Sequence, residues 1–453
     1  MKVLLVEPNY KSKFPPLGLM RLSTLHKDRG DKTFFIKGES EEIQQKHWDR
    51  IYVSSLFTYE LPITIRTAKY YLNSVSDPKK NLFIGGIGAT LLPNYVLESL
   101  QCNLIQGQLN RSNMLGLNEK PVANLIPDYD LIRDSNYEYI PKDSYFLRIS
   151  EGCIRKCKFC AVPVLEPNFG YLQNPIIQVN EIIHKYGEKQ NLVVLDNNIL
   201  ALNSFDEIIN EIIFLGFNKN GNKKRTVDFN QGLDARLIDK NIAALLSKIT
   251  ISPIRLAFDN IVIKDAYTKA IALLAEFGFL NFTNYVMYNF TDTPEHFYER
   301  IFYNIELNLK YSIRITGFPM KYAPIQNINR YYVSPKWKWR YLRGIQCILN
   351  ATHGLTSPNP SFLENAFGNS FDEFINIISM PDNYIIYRKK YENEAVDWKQ
   401  KYSHLSKNDK NEFIDLLGIL HNLPIKKKRE EMKRSKKFHD LLIHYYSNVF
   451  LLK

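Results

Sequence analysis

The stretch YFLRISEGCIRKCKFC, residues 145–160, decides how this chain is read. Its first six residues, rich in aromatic and branched side chains, predict a strand. Gly152 then lets the chain leave that strand sharply, because a residue without Cβ reaches backbone angles closed to the others. Three cysteines follow, Cys153, Cys157 and Cys160, spaced C-x3-C-x2-C, in a chain with 5 cysteines among 453 residues. An odd, tightly clustered set of thiols argues against a disulfide framework and for metal binding or reactive thiols. A structural zinc site wants four ligands, usually in two pairs, and the nearest other thiol, Cys102, lies in the preceding part of the chain. Three thiolates suit an iron-sulfur cluster that keeps one iron open to a further ligand. Arg155, Lys156 and Lys158 put positive charge beside a cluster that its thiolates make anionic, which favours an acidic electron donor.

Working downstream, YFLRIS opens a series of six expected strands. The others are NLVVLD (191–196), TVDFN (226–230), IRLAFD (254–259), TNYVMYN (283–289) and SIRITGF (312–318). Amphipathic helical patterns such as PIIQVNEIIHKYG and YTKAIALLAEFG separate them, so residues 141–325 predict a partial (β/α)6 barrel, whose chemistry belongs at the carboxyl ends of the strands. Asp196, Asn197 and Asn198 end the second strand; Asn230, Gln231, Asp234 and Arg236 follow the third. Asp259, Asn260 and Asn289 end the next two, and Lys321 follows the last.

Working upstream, KVLLVE, PLGLMRLSTLHKDRG, RIYVSSL, ITIRTAKYYLNSV and NLFIGG alternate strand and helix. Residues 1–108 therefore predict a doubly wound parallel sheet, with Gly85, Gly86 and Gly88 where such folds bring backbone close to a ligand or helix. A polar, turn-rich stretch at 109–140 predicts a linker. From 326 to 453 the alternation gives way to helices, so the fold class is α/β with a C-terminal α-helical domain.

The net charge is +12, and the last 128 residues hold 21 Lys and Arg against 13 Asp and Glu. That excess fits a polyanion such as RNA or a phosphorylated ligand, and equally a solvated lysine-rich helical surface. Glu7 ends the first apolar run too early for a secretory leader, and nothing approaches a membrane span of about 20 apolar residues. A cytoplasmic protein without membrane partners is expected.

The cysteine spacing, with aromatic Phe159 before the last cysteine and a loop placed after the first strand of a β/α partial barrel, resembles the radical S-adenosylmethionine (SAM) superfamily. VEPNYKSKFPPLGLMRLSTL, YVSSLFT, IGGIGATLLP and IPDYDLI are similar to the amino-terminal half of superfamily members that carry a cobalamin-binding-type domain. With LRISEGC, VLDNNIL and FNQGLDARL the resemblance covers about residues 1–325. It implies a 4Fe-4S cluster on Cys153, Cys157 and Cys160 that cleaves SAM to a 5′-deoxyadenosyl radical, which takes hydrogen from a substrate. It also implies a flavodoxin or ferredoxin as electron donor. Phe159, Asp196, Asn197, Asn230, Gln231 and Arg236 become the SAM-binding residues, although LDNN stands where the family has Gly-Gly-Glu. Cobalamin with its lower base displaced needs D-x-H-x-x-G, and the two histidines of this domain, His26 and His47, do not fit it; this weighs against cobalamin.

The run RYYVSPKWKWRYLRGIQ interleaves Tyr331, Trp337, Trp339 and Tyr341 with Lys336, Lys338, Arg340 and Arg343. Such residues stack flat heterocycles and hold phosphates, or at helical spacing pack a core. The first reading points to a nucleobase-like substrate, modified or cleaved as in enzymes acting on queuine-type bases. His353 and Lys321 are candidate proton carriers or structural residues. Two alternatives remain: a cobalamin-dependent radical SAM methyltransferase, and a non-catalytic, zinc-stabilised RNA-binding protein.

Overall fold

The computed structural model describes residues 1–219 and 224–451, with side chains to residue 446. Residues 220–223 of the expected barrel and 452–453 of the expected helical domain lie outside the described residues. The chain divides into two compact units, Met1–Arg255 with Ala323–Tyr331, and Leu256–Tyr322 with Tyr332–Lys453.

The first unit opens with a five-stranded sheet built from β1 (Lys2–Glu7), β2 (Lys32–Lys37), β3 (Arg50–Ser55), β4 (Leu82–Gly86) and β5 (Asn103–Leu104), in the order β2-β1-β3-β4-β5. Every neighbouring pair is parallel. Val3, Leu4, Leu5 and Val6 are each 0% exposed, the unbroken apolar run that a sheet covered on both faces requires. Gly86 has φ +105°, and a Cβ there would stand 2.3 Å from the Ser55 carbonyl oxygen, so β4 can end against β3 only with glycine. Ser55 ties the same corner, its Oγ donating to Gly85 O and accepting from Ala89 N, both at 2.8 Å.

A second parallel sheet of this unit joins β6 (Ser144–Leu147), β9 (Asn191–Val194) and β10 (Val227–Phe229), with β9 in the centre. Between β6 and β9, β7 (Ser150–Glu151) and β8 (Gly170–Tyr171) pair antiparallel and bring together the two ends of the segment that holds the cysteines. The expected strand YFLRIS is thus two strands with a break at Arg148 and Ile149.

The second unit contains a sheet ordered β11-β12-β13, with β11 (Ile254–Ala257) at the unit boundary, β12 (Asn281–Tyr288) and β13 (Arg314–Lys321). Arg300 is 0% exposed there, donating to Phe258 O at 2.8 Å, Met287 O at 2.9 Å and Asp292 Oδ2 at 2.7 Å. Helices from Trp339–Ala351 to His439–Leu451 follow, around a core that includes Trp398, Phe413, Leu417 and Leu442. The fold is therefore mixed α/β with parallel sheets and a helical C-terminal region.

Trp337 belongs to that core, 3% exposed, with Nε1 donating to Asp292 O at 3.0 Å. Lys338 pairs with Asp415 at 2.6 Å, and Arg340 and Arg343 with Asp382 at 2.8 and 2.7 Å. Trp337, Trp339 and Tyr341 thus follow the core-packing reading, with Lys338, Arg340 and Arg343 paired to acids, whereas Tyr331 is 83% exposed and Lys336 donates to Thr291 O. Among the described residues no helix is long and apolar enough to cross a membrane.

Candidate functional site

The site grows from Gly152, at the exit of β7. Its φ is +71°, and a Cβ there would lie 2.0 Å from Asn168 O, so both the turn and the close approach demand glycine. Its N–H donates to Glu166 Oε2 at 2.6 Å. The same oxygen accepts from Asn197 Nδ2 at 2.9 Å and lies 2.8 Å from Arg148 Nη2, an ion-pair contact off the hydrogen-bond axis. One carboxylate thereby ties the start of the cysteine loop, the end of β9 and the break after β6. Neither Glu166 nor Arg148 stands in a recognisable motif, and sequence reasoning missed both.

The three loop thiols form no disulfide and are partly exposed. Cys153 Sγ accepts from Arg155 N at 3.3 Å and from Asn198 Nδ2 at 3.4 Å, and Cys160 Sγ accepts from Val162 N at 3.4 Å. Cys160 N donates to Cys157 O at 3.0 Å, curling the loop. N–H groups aimed at sulfur are the donors that tune an iron-sulfur cluster. Among the described residues, no three His, Cys, Asp or Glu side chains close on one point as the ligands of a single metal ion do.

Asp234 organises the cations around the loop. Its carboxylate accepts from Arg155 Nε at 2.9 Å and from Arg236 Nε at 2.6 Å and Nη2 at 3.1 Å. Burial pushes this carboxyl up, but the hydrogen bonds from Arg236 and Arg155 outweigh it and hold it below the ordinary range. Arg236 is raised chiefly by its bond to Asp234, with smaller help from the nearby thiols of Cys157 and Cys153. Arg236, Cys153 and Cys157 are thus neighbours, and Asn198, which touches both Cys153 and Asp234, closes the group.

Asp196 is 4% exposed and faces the strand ends, where its carboxylate accepts from Ile149 N at 3.1 Å, from Ser150 Oγ at 2.5 Å and from Ser150 N. Burial pushes its carboxyl up to about 6 despite those donors. Between the unfolded value near 4 and this folded value, the folded protein binds the extra proton, so stability falls as pH rises through that window. Measured against Asp196→Asn, the wild-type chain is expected to lose thermal stability from pH about 4 to about 6 and then level off. A flat difference across that range would refute this environment for Asp196.

Asn230, whose N–H donates to Val194 O at 3.0 Å, and the exposed Gln231 follow β10. Phe159 sits half-buried inside the cysteine loop. In the second unit Asn289 is 0% exposed with φ +72°, donating to Tyr322 O and Tyr332 O, each at 3.0 Å. It fastens loops of that unit.

The carboxyl edge of the five-stranded sheet holds a cavity of about 210 Å3. No histidine lines it: His26 is 0% exposed, with Nδ1 2.7 Å from Asp31 Oδ2 and Nε2 3.1 Å from the Tyr52 hydroxyl, and His47 lies 3.5 Å from Ser76 Oγ. The cavity therefore offers no histidine to the cobalt of a corrinoid.

No protein-family model matches the chain, and no curated protein does. Among solved structures, it is similar to the radical S-adenosylmethionine methyltransferase TsrM from Kitasatospora setae, with cobalamin and a 4Fe-4S cluster bound, at TM-score 0.53 and 12% identity, over 76% of this chain and 78% of that one. That likeness concerns the fold. SuiB from Streptococcus suis, bound to its precursor peptide SuiA, overlaps at TM-score 0.32 and 16% identity over 46% of each chain, too little to bear on the architecture.

Proposed function

We propose that this chain is a radical SAM enzyme. The observation that carries the reading is the C-x3-C-x2-C loop hung from Gly152, with N–H donors on two of its sulfurs and Arg155 and Arg236 beside it. The fold likeness to TsrM supports it. When bound, a 4Fe-4S cluster with one open iron supplies the electron that cleaves SAM and so starts hydrogen abstraction.

The chain's own residues have three tasks in this reading. Cys153, Cys157 and Cys160 hold the cluster, while Glu166 and Gly152 fix where their loop begins. Arg236, held by Asp234 through Nε and Nη2, keeps its Nη1 edge for a second carboxylate such as that of the SAM methionine. Asn197, Asn230 and Gln231, at successive strand ends, and Phe159 in the loop form the remaining SAM surface, while the buried Asp196 holds Ile149 and Ser150 behind it. Lys156 and Lys158 are exposed and suit docking of an acidic flavodoxin or ferredoxin.

The substrate in this reading is small, and the outcome is a lyase or modification reaction in the cytoplasm; a nucleobase-like substrate draws no support from Trp337, Trp339 and Tyr341, which pack the helical core. The likeness to TsrM favours a second reading, a cobalamin-dependent methyltransferase. A corrinoid absorption spectrum and formation of S-adenosylhomocysteine would distinguish it. Anaerobic reconstitution with iron and sulfide tests the first reading. It is expected to load about four irons and four sulfides per chain and to give a reduced paramagnetic signal that changes when SAM is added. Zinc without labile sulfide would overturn it in favour of a zinc-stabilised protein that binds RNA.

A further inference from the structure

The cavity at the carboxyl edge of the five-stranded sheet has a chemistry of its own. Its walls are apolar: Leu19 and Leu22 from the first helix, Val53 and Phe83 from β3 and β4, Ile105 after β5, and Val122. The backbones of Gly85, Gly86 and Gly107 form part of the lining and bring no side chains into it. Two cations break this surface, Arg21 and Arg148. Arg148 lies against Glu166. Arg21 donates from Nε to Leu125 O at 3.0 Å, and among the described residues it has no carboxylate partner. It is only partly exposed, and burial first, and then repulsion from Arg148, push its guanidinium down to about 10.

A partly buried cation is costly unless something neutralises it, and no acidic side chain does so for Arg21. An apolar pocket with one or two charged groups, at the carboxyl ends of parallel strands, is the usual form of a small-molecule site in doubly wound sheets. A cavity of about 150 Å3 accepts one benzene ring. The 210 Å3 here therefore matches a single ring or short branched hydrocarbon carrying one anionic group.

We infer that this cavity is a binding site for a small apolar molecule with one anionic group, a carboxylate or a phosphate monoester, held by Arg21 and Arg148. Arg148 also contacts Glu166, which accepts from Gly152 N, so the ligand would sit one residue from the start of the cysteine loop. The site stands whether or not a cluster assembles, because none of its lining residues is a cysteine.

Calorimetric titration of the full-length chain, purified without oxygen, with benzoate, phenyl phosphate and neutral benzyl alcohol tests this inference. One or both anions are expected to bind with a stoichiometry of one, at least tenfold more tightly than the alcohol. Binding of benzoate alone would identify a carboxylate site, and of phenyl phosphate alone a phosphate site. Arg21→Gln should weaken the anion at least tenfold. Ala123→Trp, which fills the cavity from its wall, should do the same with both arginines intact. Thermal melts establish that each variant is folded; if Arg21→Gln does not fold, Ala123→Trp decides. The inference falls if neither anion binds at millimolar concentration, if the alcohol binds as well, or if the folded variants bind like wild type. Stoichiometric binding of hydroxocobalamin that Ala123→Trp abolishes would overturn it as well.

Discussion

Alanine at Cys153, at Cys157 or at Cys160 is expected to abolish SAM cleavage by the reconstituted, reduced protein and to cut its labile sulfide to a small fraction of wild type. The expectation follows from ligand count. Each sulfur would hold one iron, and the described structure places no fourth cysteine in the loop to replace a lost one: Cys102 and Cys347 lie elsewhere, with thiols pushed up to about 11 by burial. Thiols so raised are poor ligands, because metal binding requires the thiolate. The variants should keep their melting temperature in the cluster-free state, since the loop thiols are partly exposed and fill no core. Cleavage at wild-type rate by all three would remove the cluster from the account.

Gly152→Ala should be nearly as damaging without touching a sulfur. Alanine at φ +71° carries the penalty of a left-handed backbone, about 1–2 kcal/mol, and its Cβ would meet Asn168 O at 2.0 Å. Neither atom can yield alone, because Asn168 leads directly into β8 and Gly152 follows β7. Relief would have to come from parting the β7–β8 ribbon or breaking the bond from Gly152 N to Glu166. A loss of at least about 2 kcal/mol is expected, with iron loading well below wild type. Chemical denaturation and iron analysis of the same preparation read both effects. Unchanged stability with full loading would show that the turn at Gly152 does not set the loop.

Much of this was legible in the sequence. KVLLVE and NLVVLD read as strands because apolar side chains occupy every interior position, as a buried parallel sheet demands. KTFFIK (32–37) did not stand out: it is the edge strand β2, half-exposed and flanked by lysines, so its pattern is weak. Gly152 was readable from its place between a strand and a thiol cluster. Glu166 was not, because its partners Gly152, Asn197 and Arg148 are distant in sequence and no local spacing announces a carboxylate reaching back to a backbone N–H. The tryptophan and lysine run shows the converse limit. Alternating aromatics and cations look alike on a stacking surface and on a helix that buries one face and pairs its charges on the other. Only the burial of Trp337 and the bonds to Asp415 and Asp382 separate the two.

The most direct test of the central claim is the formation of 5′-deoxyadenosine from SAM by the anaerobically reconstituted, dithionite-reduced chain. The nucleoside is expected to appear with intact Cys153, Cys157 and Cys160 and to vanish when any one is alanine. A fully iron- and sulfide-loaded protein that leaves SAM intact would contradict it.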